Sequence, residues 1–472
     1  MAGADIGQKS GKNCTMPRLS NISILYTCTD EHSPNVHSPN VDFPNVDSPK
    51  VDSPNVDSRN EEGIQPRSRQ APSESQERGE DAGAIPNATL VWEGENILWV
   101  GRETDLPIAF EGMERVDAKG SMVVPGLVDC HTHLCFGGWR ADEFEMRIQG
   151  RSYLEIAKAG GGILSTMRAT REATEEELFE KAAGLLEEIR DLGVTAIECK
   201  SGYGLSLEAE LKQLRVYKRL QGREQERGGM RIISTFLGAH TVPPEYKENR
   251  RGYLDLVIGE MIPRVAEEGL ADFCDVFAEE SAFTIDEAKE VLEAGKQAGL
   301  RPKIHADQLT AGGGAELAAN VGAVSADHLE QISPEGIRAM AEDGVVAVTL
   351  PIASLYTQQP FLNARPLIDA GIRVAVATDF NPGSAPSFDL PLAMMLACNQ
   401  SRLTPAEALK GATIYAAQAI GLEQKIGSLE PGKSADFLLL NAENVNEWMY
   451  HYKGSRLEVA YLRGVNQSAT ST

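Results

Sequence analysis

The chain has 472 residues, a formal net charge of −24 and 42% hydrophobic residues, enough for one large core with an appendage or for two domains. That acidity argues against a general affinity for nucleic acid or anionic membranes. No run approaches the roughly 20 apolar residues of a membrane helix, and the N-terminus lacks a charged-then-apolar signal pattern, so the expected location is the cytoplasm.

The first predicted strand spans 21–27. A five-residue unit then recurs as Ser33-Pro34-Asn35-Val36, Ser38-Pro39-Asn40-Val41, Phe43-Pro44-Asn45-Val46 and Ser53-Pro54-Asn55-Val56. A proline in every unit defeats both helix and ladder pairing, and 59–84 is polar, so 31–84 is expected to be a disordered insertion. Strands are predicted again at 89–92 and 96–100, which makes the repeat an interruption of a small β-domain; loop-closure entropy rises slowly enough with length to tolerate it. Seven cysteines are scattered without a C-x-x-C spacing, and neither a disulfide framework nor a thiolate zinc site is indicated.

From residue 122 onward, short apolar runs alternate with amphipathic segments of helical period such as 175–192, 285–298 and 334–342. The runs are 122–129, 194–199, 232–237, 273–277, 302–304, 323–326, 345–350 and 373–377. Eight βα units of this size predict an α/β fold, a (β/α)8 TIM-like barrel. An open doubly wound sheet competes, but it ordinarily carries a Gly-rich turn after its first strand, where this chain has His-Thr-His. Predicted strands near 435–440 and 459–462 return to the small domain. The expected organisation is therefore a first strand of the small β-domain at 15–30, the insertion at 31–84, the rest of its N-terminal part at 85–124, the barrel at 125–422 and its C-terminal part at 423–466. The small domain is expected to be a β-sandwich built from both chain ends.

Polar residues gather where the runs end. His131 and His133 follow run one, Lys200-Ser201-Gly202-Tyr203 run two, His240 run three, Glu279 run four, His305-Ala306-Asp307-Gln308 run five, Asp327-His328 run six and Asp379-Phe380-Asn381 run eight. Of eight histidines, five stand at these ends, two lie in the repeat and His451 is elsewhere. One strand-end histidine is commonly a cap or a core residue. Five on the carboxyl rim of a barrel call for a common site, and imidazoles at i and i+2 share one strand face as ligands for zinc or iron.

Those residues resemble the amidohydrolase superfamily, with its His-X-His on strand one, histidines on strands five and six and an aspartate on strand eight. Longer stretches, Lys200-Ser201-Gly202-Tyr203-Gly204-Leu205, Gly238-Ala239-His240-Thr241-Val242-Pro243-Pro244-Glu245-Tyr246 and Thr378-Asp379-Phe380-Asn381-Pro382-Gly383-Ser384, resemble the imidazolonepropionase family. The resemblance implies metal-dependent hydrolytic opening of 4-imidazolone-5-propanoate to N-formimidoyl-L-glutamate in histidine degradation. It implies one ion, zinc or iron, on His131, His133, His305 and Asp379, with Asp379, His328 and Gln308 catalytic. It also implies substrate binding by Arg140, Tyr203, His240, Gln308, Asn381, Gly383 and Ser384, a small-molecule substrate as partner, no nucleic acid or membrane, and a homodimer. Arg140 reads alternatively as a surface ion pair with Asp142 or Glu143. A carboxylated Lys200 bridging two metals is weighed and set aside, since branches with such a bridge take it from strand four, where Glu279 stands and would serve a binuclear site. A cytosine or guanine deaminase on the same scaffold, or a barrel retained as a non-catalytic assembly protein, are the competing functions.

Overall fold

The computed structural model describes residues 16–30, 82–151, 161–452 and 455–467; most of the predicted insertion, 31–81, lies outside them. Strand β1 (Pro17–Tyr26) pairs antiparallel with β2 (Ala84–Glu93), which pairs with β3 (Asn96–Arg102). Tyr26 stands opposite Ala84, and Cys28 N–H donates to the Ala82 carbonyl at 3.0 Å. Residues 30 and 82 therefore leave and re-enter the same end of one hairpin. On the second flank the Ala82 side chain is buried. Deleting 31–81 is accordingly expected to leave turnover and thermal stability unchanged. Loss of either would show that the segment contributes to the folded protein.

On its other edge β1 pairs in parallel with β4 (Glu114–Asp117) and, at Leu25, with β5 (Met122–Pro125). The chain crosses next to the barrel. The single apolar run 122–129 serves two sheets, β5 in the small one and β6 (Leu127–Asp129) in the barrel, with the change of sheet at Gly126. A Cβ there would lie 2.3 Å from Thr195 Oγ1, so a side chain would push the two sheets apart. Sequence periodicity could not show this division, because both halves are buried.

The barrel continues with β7 (Val194–Lys200), β8 (Arg231–Ala239), β9 (Phe273–Ala278), the pair β10 (Arg301–Pro302) and β11 (Ile304–Ala306), β12 (Ser325–His328), β13 (Val346–Thr349) and β14 (Val374–Val376), all parallel. β10 and β11 both pair with β9, so they form one strand broken at Lys303. The first and last strands meet through a Thr132/Phe380 bridge, with Asp379 N–H on the His131 carbonyl at 3.0 Å and His133 N–H on that of Phe380 at 2.8 Å. Closure thus happens at the His-X-His and Thr-Asp motifs themselves.

The small sheet is completed by β15 (Phe437–Leu440), β16 (Leu457–Leu462) and β17 (Val465–Asn466), with β15 antiparallel to β5. Its eight strands form one hydrogen-bonded sheet drawn from both chain ends. They enclose a core of their own in which Phe437 stacks on Tyr461 at 4.4 Å and meets Trp92 edge-on at 5.2 Å. No helix of the described residues is long and apolar enough to cross a membrane.

Candidate metal centre and active site

The carboxyl ends of the barrel strands bring His131, His133, His305, His328 and Asp379 together below the surface, each at most 3% exposed. Two overlapping triads, His131/His133/Asp379 and His131/His305/His328, each offer ligand atoms within 4.8 Å of one another. Asp379 Oδ1 lies 3.4 Å from His131 Nε2 and 3.5 Å from His133 Nε2. About 3.4 Å is the separation of two atoms that each sit about 2.1 Å from one tetrahedral ion.

The ring nitrogens behave as ligands would. His131 Nδ1 is 2.7 Å from Asp327 Oδ2, so this nitrogen carries a proton, while Nε2 is buried with no hydrogen-bond partner. His305 Nδ1 lies 3.0 Å from Asp275 Oδ2 without the geometry of a hydrogen bond, and both its ring nitrogens are buried and unpartnered. Orphaned buried imidazole nitrogens are costly unless something binds them, and carboxylates behind the rings are the usual means of aiming them at a metal. The donor set fits a metal ion. Asp379 and His328 sit in left-handed backbone, at φ of 55° and 81°, conformations that Asp and His tolerate better than most residues and that mark functional turns.

Beneath the imidazoles lies a layer of charge in which the sequence had singled out Lys200 and Asp327 alone. Lys200 Nζ is 3.0 Å from Glu198 Oε1, 2.8 Å from Asp275 Oδ2 and 3.3 Å from Asp327 Oδ2. Lys303 Nζ, at the break between β10 and β11, holds the other Glu198 oxygen at 2.9 Å. All five side chains are fully buried. Burial alone would lower the Lys200 ammonium, yet Asp275, Glu198 and Asp327 hold it well above the ordinary lysine range. Burial likewise pushes Asp327 up, but Lys303, Lys200 and His131 keep it well below the usual carboxylate range. Lys200 is therefore the hub between the carboxylates that back His131 and His305, consistent with setting it aside as a bridging ligand. The signal for the missing members was present: each is a charged residue inside an otherwise apolar run.

Glu279, weighed as a ligand for a second metal, is occupied otherwise. Its Oε1 accepts from Leu309 N–H at 2.7 Å and Thr310 N–H at 3.2 Å, and its Oε2 from Thr310 Oγ1 at 2.8 Å. It fixes the loop that carries Gln308. Glu210, unnoticed in the sequence, does the same for the Tyr203 loop by accepting from the N–H groups of Gly202, Gly204 and Leu205 at 2.7–3.0 Å.

On the rim, the Arg140 guanidinium lies beside the Tyr203 phenol. Arg140 Nε is buried without a partner, and among the described residues no carboxylate pairs with its guanidinium, so the alternative pairing with Asp142 or Glu143 is not made. Burial raises the Tyr203 phenol, which stays neutral. The Tyr203 ring lies 5.7 Å from His133 and 5.5 Å from His240, and His240 stacks on His133 at 5.4 Å. His240 Nδ1 faces the Gly202 carbonyl at 3.0 Å, a contact only an N–H can make. Asn381 accepts from the N–H groups of Gly383 and Ser384, both at 2.8 Å, and donates to the Asp379 carbonyl at 2.6 Å. Its amide shapes the loop and leaves Ser384 Oγ 3.5 Å from Asp379 Oδ2.

Residues 122–458 match the model of the amidohydrolase family. The imidazolonepropionase of Geobacillus kaustophilus (strain HTA426) is 50% identical over 392 residues, 82% of this chain and 92% of that protein. The imidazolonepropionase of Cupriavidus necator is 50% identical over 372 residues, covering 79% and 88%. The chain belongs to the imidazolonepropionase family of amidohydrolases. Solved structures at low identity carry the same fold. A 5-methylcytosine deaminase from Klebsiella pneumoniae superposes with a TM-score of 0.64 at 17% identity, over 80% of this chain and 94% of that one. An adenosine deaminase from Xanthomonas campestris with bound zinc gives 0.61 at 19% identity, over 81% and 89%. Imidazolonepropionase membership accounts for the barrel, the separate β-domain and a metal-dependent hydrolytic chemistry, and it makes a small molecule the substrate.

Proposed function

We infer that this chain hydrolyses 4-imidazolone-5-propanoate, cleaving a ring carbon–nitrogen bond of the cyclic amide to give N-formimidoyl-L-glutamate in histidine degradation. The observation that carries the substrate assignment is Arg140, a guanidinium beside neutral Tyr203 with no carboxylate partner among the described residues, at the mouth of the imidazole cluster. A substrate carboxylate is the partner such a fork fits.

His131, His133, His305 and Asp379 would hold one ion, zinc or iron. When bound, the ion would supply Lewis acidity and a water whose pKa is lowered toward about 7. Asp379 Oδ1 faces the imidazoles while Oδ2 is free of them, so Oδ2 takes the proton of the water that attacks the ring carbonyl carbon and returns it to the departing ring nitrogen. His328 orients that water. His240, with its Nδ1 proton committed to the Gly202 carbonyl at 3.0 Å, presents Nε2 as an acceptor and receives a ring N–H. Gln308 and Ser384 supply the remaining polar contacts, and Gly383 gives space to Arg140. The same reading makes the enzyme a cytoplasmic homodimer without nucleic-acid or membrane partners.

Removing the clamp should act on binding. Arg140→Ala is expected to raise KM about 10- to 100-fold with kcat little changed, the loss of a charge-assisted pair worth roughly 1.5–3 kcal/mol. Gly383→Ala should act in the same direction, because a Cβ there would fall 1.8 Å from Arg140 Nη2. Steady-state kinetics decides; a drop in kcat at constant KM would place Arg140 in the chemical step. Ammonia released from cytosine or guanine, with the imidazolone untouched, would favour the deaminase reading.

A further inference from the structure

Glu330 is a buried carboxylate that the chemistry above does not use. Its side chain and that of His328 are each 3% exposed, and Glu330 Oε2 lies 3.8 Å from His328 Nδ1. Both atoms are buried without a hydrogen-bond partner. The other Glu330 oxygen, Oε1, accepts from Ser354 Oγ at 3.3 Å, which anchors the carboxylate from behind. The backbone between the two residues is fixed as well: Leu329 N–H donates to the Ala306 carbonyl at 3.0 Å and Gln331 N–H to that of Asp307 at 2.8 Å. His328 and Leu329 adopt φ of 81° and 69°, two successive left-handed residues that cost energy and persist where a side chain must be aimed. The turn they make folds Glu330 back beside the imidazole.

Two unpartnered polar atoms left facing each other in a dry site cost about 1–3 kcal/mol each. A shift of under about 1 Å joins them at hydrogen-bond length, and catalytic hydrogen bonds commonly tighten when substrate binds. We propose that Glu330 is a positioning residue for His328: Oε2 bonds Nδ1, and the imidazole is thereby held with Nε2 on the attacking water. The proposal rests on the hydrolytic reading above. It gives Glu330 no contact with substrate and no place among the metal ligands.

The test uses the full chain loaded with zinc. Glu330→Ala is expected to lower kcat about 10- to 100-fold, the usual effect of losing the partner that orients a working histidine, while KM and bound zinc per chain stay at wild-type values because Arg140, Tyr203 and the four ligands are untouched. Glu330→Gln keeps a hydrogen-bonding group at the same place and should recover most of kcat. In a His328→Ala background, Glu330→Ala should add nothing further, since its only route to the reaction is gone. A purely structural Glu330 would lower the melting temperature and leave kcat alone, and that result overturns the proposal, as does loss of zinc or a rise in KM. Should Glu330→Ala fail to fold, Glu330→Asp draws the carboxylate back by one methylene and is read by the same split between kcat and KM. If wild-type protein fails to turn over the imidazolone, it is the hydrolytic reading that falls; normal wild-type turnover with an unimpaired Glu330→Ala removes the present proposal alone.

Discussion

Asp379→Asn is expected to lower kcat by about 10²- to 10⁴-fold while the protein remains folded. The substitution preserves shape: Asn tolerates the left-handed φ of 55° found at this position, as Asp does, and the backbone N–H keeps its 3.0 Å bond to the His131 carbonyl. What it removes is the negative charge that His131 and His133 face at 3.4 and 3.5 Å, together with the oxygen that receives the water's proton. Turnover, circular dichroism and metal content measured on one preparation separate these effects. An Asp379→Asn protein that turns over at the wild-type rate would contradict both the proton-transfer role and the ligand role.

Lys200→Met is expected to be the most damaging change for the fold, at about 3–5 kcal/mol. Methionine fills much the same volume, so the cost is electrostatic: Glu198, Asp275 and Asp327 would lose the ammonium 2.8–3.3 Å away and stay buried beside Lys303, which is ion-paired with Glu198 at 2.9 Å and spends its other hydrogen bonds on the Cys130 and Ala419 carbonyls. The carboxylates behind His131 and His305 would then be free to protonate or move, so metal affinity should fall with stability. Urea unfolding and metal titration measure the two. Unchanged unfolding with unchanged affinity would mean that Lys200 is a bystander within the barrel.

Much of the candidate site was legible in the chain because barrel strands end in short polar motifs. His131-Thr132-His133, His305, His328 and Asp379 could be placed from eight apolar runs and the position of each histidine, and the structure gathers them. The layer beneath was not legible. Glu198 and Asp275 sit within runs read correctly as strands, but a single buried charge in a strand says nothing about its partner. The pairs that neutralise them join residues 75 positions apart, Lys200 with Asp275, and 105 apart, Lys303 with Glu198. Only closure of the barrel makes those neighbours. Glu279 was ambiguous in the sequence for a related reason: the end of a strand is where site residues and loop anchors both occur, and only hydrogen-bond partners tell them apart. Gly126 hid a change of sheet inside one apolar run because burial on both sides erases periodicity.

The most direct test is a metal titration of turnover. Protein stripped with chelator and reconstituted stepwise with zinc or iron is supplied with 4-imidazolone-5-propanoate, and the product is identified by mass spectrometry. The account predicts no consumption in the stripped protein, activity rising linearly to a plateau at one equivalent of metal per chain, and N-formimidoyl-L-glutamate as product. Full activity without metal, or a plateau at two equivalents, would contradict it.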